Sequence, residues 1–138
     1  MPFSQGHALL IGVGSHKFVP NANVPITVAD AKAVATILHD PNACSYPESQ
    51  VKLIHDDGAT KAGILSALHD LAKRAGQSDT VFLFYAGHGA LGTQSNYYLV
   101  SHDAQIQNGR VVEGTGVSEA ELLAKLRSLA TFQGGCVS

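Results

Sequence analysis

A chain of 138 residues with 45% apolar content can bury one core but is too short for two ordinary domains, so a single domain over residues 1–138 is expected. Nine Lys and Arg stand against eleven Asp and Glu, a formal charge of -2, and no window carries a basic run able to follow a phosphate backbone, which argues against a nucleic-acid partner. The opening Met1-Pro-Phe-Ser-Gln-Gly6 has no basic stretch and no apolar core of signal type, and no apolar run approaches bilayer length, so a cytoplasmic protein with no membrane partner is expected.

The run His7-Ala-Leu-Leu-Ile-Gly-Val13, closed by Gly14, suits a strand buried on both faces. A turn-rich stretch with Pro20, Asn21, Asn23 and Pro25 follows. From Val28 to His39 the apolar residues Val28, Ala31, Ala35 and Leu38 fall at helical spacing, with Thr27 as the expected N-cap and Pro41 as the stop. Val51-Lys-Leu-Ile-His55 reads as a second strand, bounded by Asp56-Asp57-Gly58. Thr60 caps a second helix whose Ile64, Leu65, Leu68 and Leu71 form one apolar face, with Gly76 as its end.

Thr80-Val-Phe-Leu-Phe-Tyr85 is the most β-prone run, and Ala86-Gly-His-Gly89 follows it directly. Tyr97-Tyr-Leu-Val100 is a further short strand, and Gln105 to Gly116 reads as a polar connection. Ser118 with Glu121 three residues on forms a capping box that opens a helix through Leu122, Leu123 and Leu126. The order β-α-β-α-β-β-α predicts an α/β domain with a mostly parallel sheet flanked by helices and a site at the strand carboxyl ends. Gly12-Val-Gly14 is only a fragment of a phosphate-binding loop, and no acidic cluster accompanies it, which disfavours a flavodoxin- or receiver-type domain.

His88 stands out among seven histidines, because the glycines on either side allow close approach of backbone and substrate while the preceding strand fixes the imidazole at a sheet edge. The other candidates are plainer. His7, His16, His39, His55 and His69 show no ligand spacing and read as surface or satisfied side chains. Cys44 and Cys136 lie far apart, without metal-site spacing, and read as free thiols suited to a reducing compartment.

Leu9-Leu-Ile-Gly12, Ala29-Asp-Ala-Lys32, Phe82-Leu-Phe-Tyr-Ala-Gly-His-Gly89 and Tyr98-Leu-Val-Ser-His-Asp-Ala104 occur in the order and spacing seen in caspases, metacaspases and their bacterial and fungal relatives. From about His7 to Leu129 the chain resembles the histidine-bearing large-subunit region of that family. The resemblance implies a caspase-like three-layer sandwich and a cysteine endopeptidase acting on a peptide or protein. In it His88 is the general base to a cysteine thiol, and the Gly89 N–H helps form the oxyanion hole. Caspases that cut after aspartate carry an arginine six residues before the acidic member of the Asp-Ala pair, where this chain has Val24. In metacaspases that acidic residue lines a pocket for arginine or lysine, so Asp30 is the candidate contact for a basic P1 side chain.

The family places its nucleophile at the end of a buried apolar strand in an Asp-x-Cys-His-Ser-Gly or Gln-Ala-Cys-Arg-Gly setting, which this chain lacks. Cys136, in Leu129-Ala-Thr-Phe-Gln-Gly-Gly-Cys136, follows His88 at nearly the roughly 50-residue spacing of caspases and is the candidate nucleophile. Cys44 is expected to lie remote from His88. No cofactor is expected; the resemblance raises calcium as a candidate activator, although no EF-hand loop is present and Asp56-Asp57 reads as a turn. The chain is expected to stop near the nucleophile strand and so to expose a sheet edge, which favours a complementary small-subunit segment or self-association. A catalytically inactive fragment or pseudo-peptidase, acting as an interaction or regulatory module, is the alternative.

Overall fold

The computed structural model describes residues 2–129. Strands β1 (Gly6–Gly12), β2 (Val51–His55) and β3 (Thr80–Ala86) form a parallel sheet in the order β2-β1-β3, with helices α1 (Ile26–His39) and α2 (Lys61–Arg74) as the crossovers. The central strand is buried along its whole length. Its side chains alternate between two cores, as the two-residue period of a strand requires. Ala8 and Leu10 pack with Ala31, Ala35 and Leu38 of α1. Leu9, Ile11 and Val13 pack with Ile64, Leu68 and Leu71 of α2 and with Leu122 and Leu126 of α3 (Glu119–Arg127). Each such fully buried Leu or Ile contributes roughly 1.5–3 kcal/mol, which makes β1 the axis of the fold.

The glycines that close β1 serve this packing rather than a phosphate. A Cβ at Gly12 would lie 3.0 Å from the Thr27 carbonyl oxygen and the Val28 Cα, and one at Gly14 would lie 3.0 Å from Val28 Cγ2. Side chains there would push the first turn of α1 off the sheet.

After β3 the chain leaves the parallel sheet. Strands β4 (Gly89–Leu91), β5 (Tyr97–Leu99) and β8 (Val117–Ser118) make a separate antiparallel sheet in the order β4-β5-β8. Strands β6 (Ile106–Gln107) and β7 (Arg110–Val111) make a small hairpin inside the stretch expected to be a plain connection. Its two-residue loop, Asn108-Gly109, has φ of 52° and 75°, the mirror-image turn that matches strand twist. That dipeptide is the signal that could have identified the hairpin from sequence.

Several boundaries differ from expectation: β1 spans Gly6–Gly12 rather than His7–Val13, and β5 ends at Leu99 rather than Val100. Helix α1 starts at Ile26, with Pro25 at the N-cap in αR geometry, so Thr27 sits inside the first turn and its hydroxyl donates to the Val24 carbonyl at 2.9 Å. Helix α2 ends at Arg74 with Ala75 as C-cap and Gly76 directly beyond it, as expected, and the Gly76 N–H donates to Asp79 Oδ2 at 2.7 Å. β3 runs one residue further than expected, through Ala86. The Thr60 cap accepts from the Gly63 N–H, and the Ser118–Glu121 capping box is formed. Among the described residues no helix is long and apolar enough to cross a membrane.

Candidate functional site

Parallel pairing brings the carboxyl ends of β1 and β3 together, with Gly12 opposite Ala86. The Val13 N–H then donates to the Ala86 carbonyl at 2.9 Å, so the loop after β1 and the Gly87-His88 segment leave the sheet side by side. Gly87 is required by crowding: a Cβ there would lie 2.7 Å from the Tyr85 hydroxyl oxygen and 3.3 Å from Val13 Cβ. Two bonds fix the His88 backbone. Its carbonyl accepts from the Val100 N–H at 3.0 Å and from the Tyr85 hydroxyl at 2.8 Å. The Tyr85 oxygen also lies 3.1 Å from the Val100 carbonyl, and burial pushes the phenol pKa far up, so it remains a donor.

The exposed His88 ring reaches across to the neighbouring loop, where Nε2 lies 2.7 Å from the Ala22 carbonyl oxygen. A carbonyl can only accept, so Nε2 carries the hydrogen and the neutral ring presents its lone pair at Nδ1. Beside the ring is an open, largely apolar depression of about 220 Å³ lined by Val19, Ala22, Gly89, Ala90, Val100 and Ile106. Gly89 begins β4 and is exposed, and a Cβ added to it would meet only the Tyr98 carbonyl, at 3.8 Å. Gly89 is thus brought together with His88 at one cavity.

The remaining candidates are not. Asp30 is exposed on α1 and does not line that depression. Cys136 lies outside the described residues. Cys44 is exposed in the turn after α1, where the Phe3 N–H donates to the adjoining Ser45 carbonyl and Tyr46 packs edge-on to Phe3 at 5.4 Å. These contacts put Cys44 at the amino end of the sheet, a seven-residue strand away from His88, about 20 Å at the usual rise. It cannot meet the imidazole. Among the described residues no group of three or more His, Cys, Asp or Glu could hold a metal ion.

His16 was expected to be an ordinary surface or satisfied histidine; it is 3% exposed, and its ring centroid lies 5.4 Å from that of His88. Its backbone N–H donates to Asn23 Oδ1 at 2.7 Å, Nδ1 faces the same oxygen at 3.3 Å, and Nε2 is buried without a partner. Burial is the main cause of a pKa held below the ordinary 6.5. Asn23 and Asp56 oppose that shift, and His88 and His102 add to it. No periodicity marks this residue. Only the meeting of the loops after β1, β3 and β5 buries it.

The Ser101-His102-Asp103 stretch stitches the loop after β5 to the loop after β1 and to the segment that leads from β2 into α2. His102 Nδ1 lies 3.0 Å from the Ser15 carbonyl, its N–H donates to the Ala59 carbonyl at 2.9 Å, and Asp103 Oδ1 accepts from the Lys61 N–H and the Ser101 hydroxyl, both at 2.9 Å. The same ring nitrogen lies 3.2 Å from the Ser15 hydroxyl, so one residue of the loop after β1 engages it through both backbone and side chain.

Comparison with known proteins shows what the chain is similar to. A family model described as the caspase domain matches residues 5–131. The chain is 36% identical over 88 residues to Metacaspase-1A of Aspergillus oryzae, an alignment covering 59% of this chain and 20% of that protein. It is 33% identical over 88 residues to Metacaspase-1 of Coccidioides immitis, covering 59% of this chain and 18% of that one. The chain therefore spans about a fifth of the length of these curated relatives. Among solved structures, protein GSU0716 from Geobacter sulfurreducens superposes with a TM-score of 0.67 at 22% identity, over 90% of this chain and 45% of that one, a likeness of fold.

Proposed function

Because the chain belongs to the caspase-domain family, we propose that it is the histidine-bearing part of a cysteine endopeptidase in which His88 Nδ1 is the general base. The observation that carries this reading is the 2.7 Å approach of His88 Nε2 to the Ala22 carbonyl, which leaves Nδ1 as the proton acceptor beside an open cavity. In the proposed cycle Nδ1 takes the thiol proton, and the thiolate attacks the scissile carbonyl carbon. The Gly89 N–H stabilises the resulting oxyanion, and the imidazolium returns its proton to the leaving amine as the C–N bond breaks. Water, deprotonated by the same nitrogen, then hydrolyses the thioester. Cys136 is the proposed nucleophile and Asp30 the proposed contact for an arginine or lysine at P1, within the three-layer sandwich of the complete family fold.

A complementary segment of the peptidase is the proposed partner. Among the described residues β3 pairs on one side only, with β1, and a further strand along its free edge would extend the sheet next to His88.

The test is to treat the chain, with and without calcium, with a peptidyl electrophile carrying arginine at P1 and to map the adduct by mass. Labelling at Cys136 that slows by about a hundredfold or more in His88→Ala, the usual scale of general-base assistance, supports the peptidase. Labelling indifferent to His88, or none at all, overturns a self-contained enzyme and favours a non-catalytic module.

A further inference from the structure

The turn that carries Ala22 is itself held in place. Asn23 projects Oδ1 back onto His16, accepting from its backbone N–H at 2.7 Å and facing ring Nδ1 at 3.3 Å. The Ala22 N–H donates to the Val19 carbonyl at 2.9 Å, and the Val24 N–H donates to the Gly14 carbonyl at 2.8 Å. The loop after β1 thereby approaches His88 twice, through the Ala22 carbonyl at Nε2 and through the His16 ring on its flank. The cycle proposed above uses neither Asn23 nor His16, yet their bonds close the segment that aims the carbonyl.

We propose that Asn23 is a positioning residue for His88: by clamping His16 it holds the loop of residues 16–23 in one conformation and keeps the Ala22 carbonyl on Nε2. This rests on His88 being the base, and it adds that the choice of basic nitrogen is enforced by a side chain that never touches the substrate. The physical logic is a short chain of constraints. A backbone carbonyl cannot be exchanged for another group, but it can be misaimed, and the bond it makes weakens steeply once distance or angle relaxes. Removing the Asn23 oxygen opens the side-chain closure of the loop, leaving the backbone bonds alone to hold it. Nε2 then loses its fixed acceptor, and the proton redistributes between the two ring nitrogens.

Long-range proton–nitrogen correlation spectra of the 15N-labelled chain read this directly, at a pH where the imidazoles are neutral, with His88→Gln used to assign the signal. The parent is expected to show His88 overwhelmingly protonated at Nε2. In Asn23→Ala the ratio of the two tautomers is expected to fall about fivefold, the discrimination one neutral hydrogen bond supplies. Asn23→Asp keeps an acceptor oxygen in place and is expected to retain the parent ratio. Asn23 is solvent-exposed, so the alanine opens no cavity, and the backbone amide spectrum reports that the fold is kept. A parent-like ratio in Asn23→Ala, or an equal loss in Asn23→Asp, overturns the clamp. Mixed tautomers in the parent itself would instead overturn the base assignment on which the clamp depends.

Discussion

His16 engages its two ring nitrogens unequally: Nδ1 lies against Asn23 Oδ1, whereas Nε2 is buried with nothing to accept a proton from it. Charging this ring would place an unpaired N–H and a positive charge in a site that also faces His88 and His102, so the folded protein favours the neutral form and holds the pKa below the ordinary 6.5. In the unfolded chain the same histidine titrates near 6.5, so below that pH the unfolded state binds more protons than the folded one. The stability associated with a neutral His16 is therefore complete above about 6.5 and is lost as pH falls through the lower, folded-state value. His16→Phe keeps a ring of comparable size and removes the titration. Thermal melts at pH 7.5 and 5.5 are expected to show a smaller drop in Tm for this variant than for the parent. Equal drops would mean that His16 is not the acid-sensitive group.

Elements whose ends are fixed by adjacent residues were legible in the sequence, and elements fixed by distant ones were not. The Thr60 cap, the Ser118–Glu121 box and strands β2 and β3 stand within a residue of expectation because each is written locally in hydroxyl, glycine or β-branched chemistry. Strands β4 and β8 are two or three residues long and exist because β5 lies between them, which no periodicity in so short a run can announce. The site divides in the same way. His88 and Gly89 were visible in a motif, but the Ala22 carbonyl has no side-chain signature at all, and His16 becomes part of the site only after folding. The α3 cap shows how much one local device contributes. Ser118 Oγ accepts from the Glu121 N–H at 3.1 Å, while Glu121 Oε1 accepts from the Ser118 N–H at 3.1 Å and its other oxygen meets Lys61 Nζ at 3.2 Å. Burial alone would raise the Glu121 pKa, but these donors outweigh it and leave the carboxyl below its usual range. Ser118→Ala is expected to lower stability by about 1 kcal/mol, as a shift of the urea midpoint with an unchanged slope. No shift would mean that the Lys61 contact holds the start of α3 without the cap.

At the scale of the molecule the two rims of the parallel sheet are built differently. β2 carries the exposed Lys52 at its second position, a charge of the kind that keeps edge strands from pairing with other chains. β3 has no charge and no proline along Thr80-Val-Phe-Leu-Phe-Tyr-Ala86, Phe82 is 37% exposed, and among the described residues its outer edge pairs with no strand. The sequence made β3 recognisable as a strand but hid its place at the rim, since a strand order of β2-β1-β3 depends on the two crossovers rather than on composition. A long, uncharged edge with free N–H and C=O groups is a template for another strand, supplied by a complementary segment when one is present and by a second copy of the chain when none is. The isolated chain is accordingly expected to associate with rising concentration, and Phe82→Lys, which sets a charge on that rim without entering either core, is expected to lower the weight-average mass by sedimentation at every concentration above the onset. Titrating in a peptide that matches the proposed complementary strand should compete with self-association in the parent, because both use the same backbone groups. If the parent sediments as a monomer throughout, or if Phe82→Lys associates as strongly as the parent, β3 is not the adhesive edge and the complementary strand must enter the fold elsewhere.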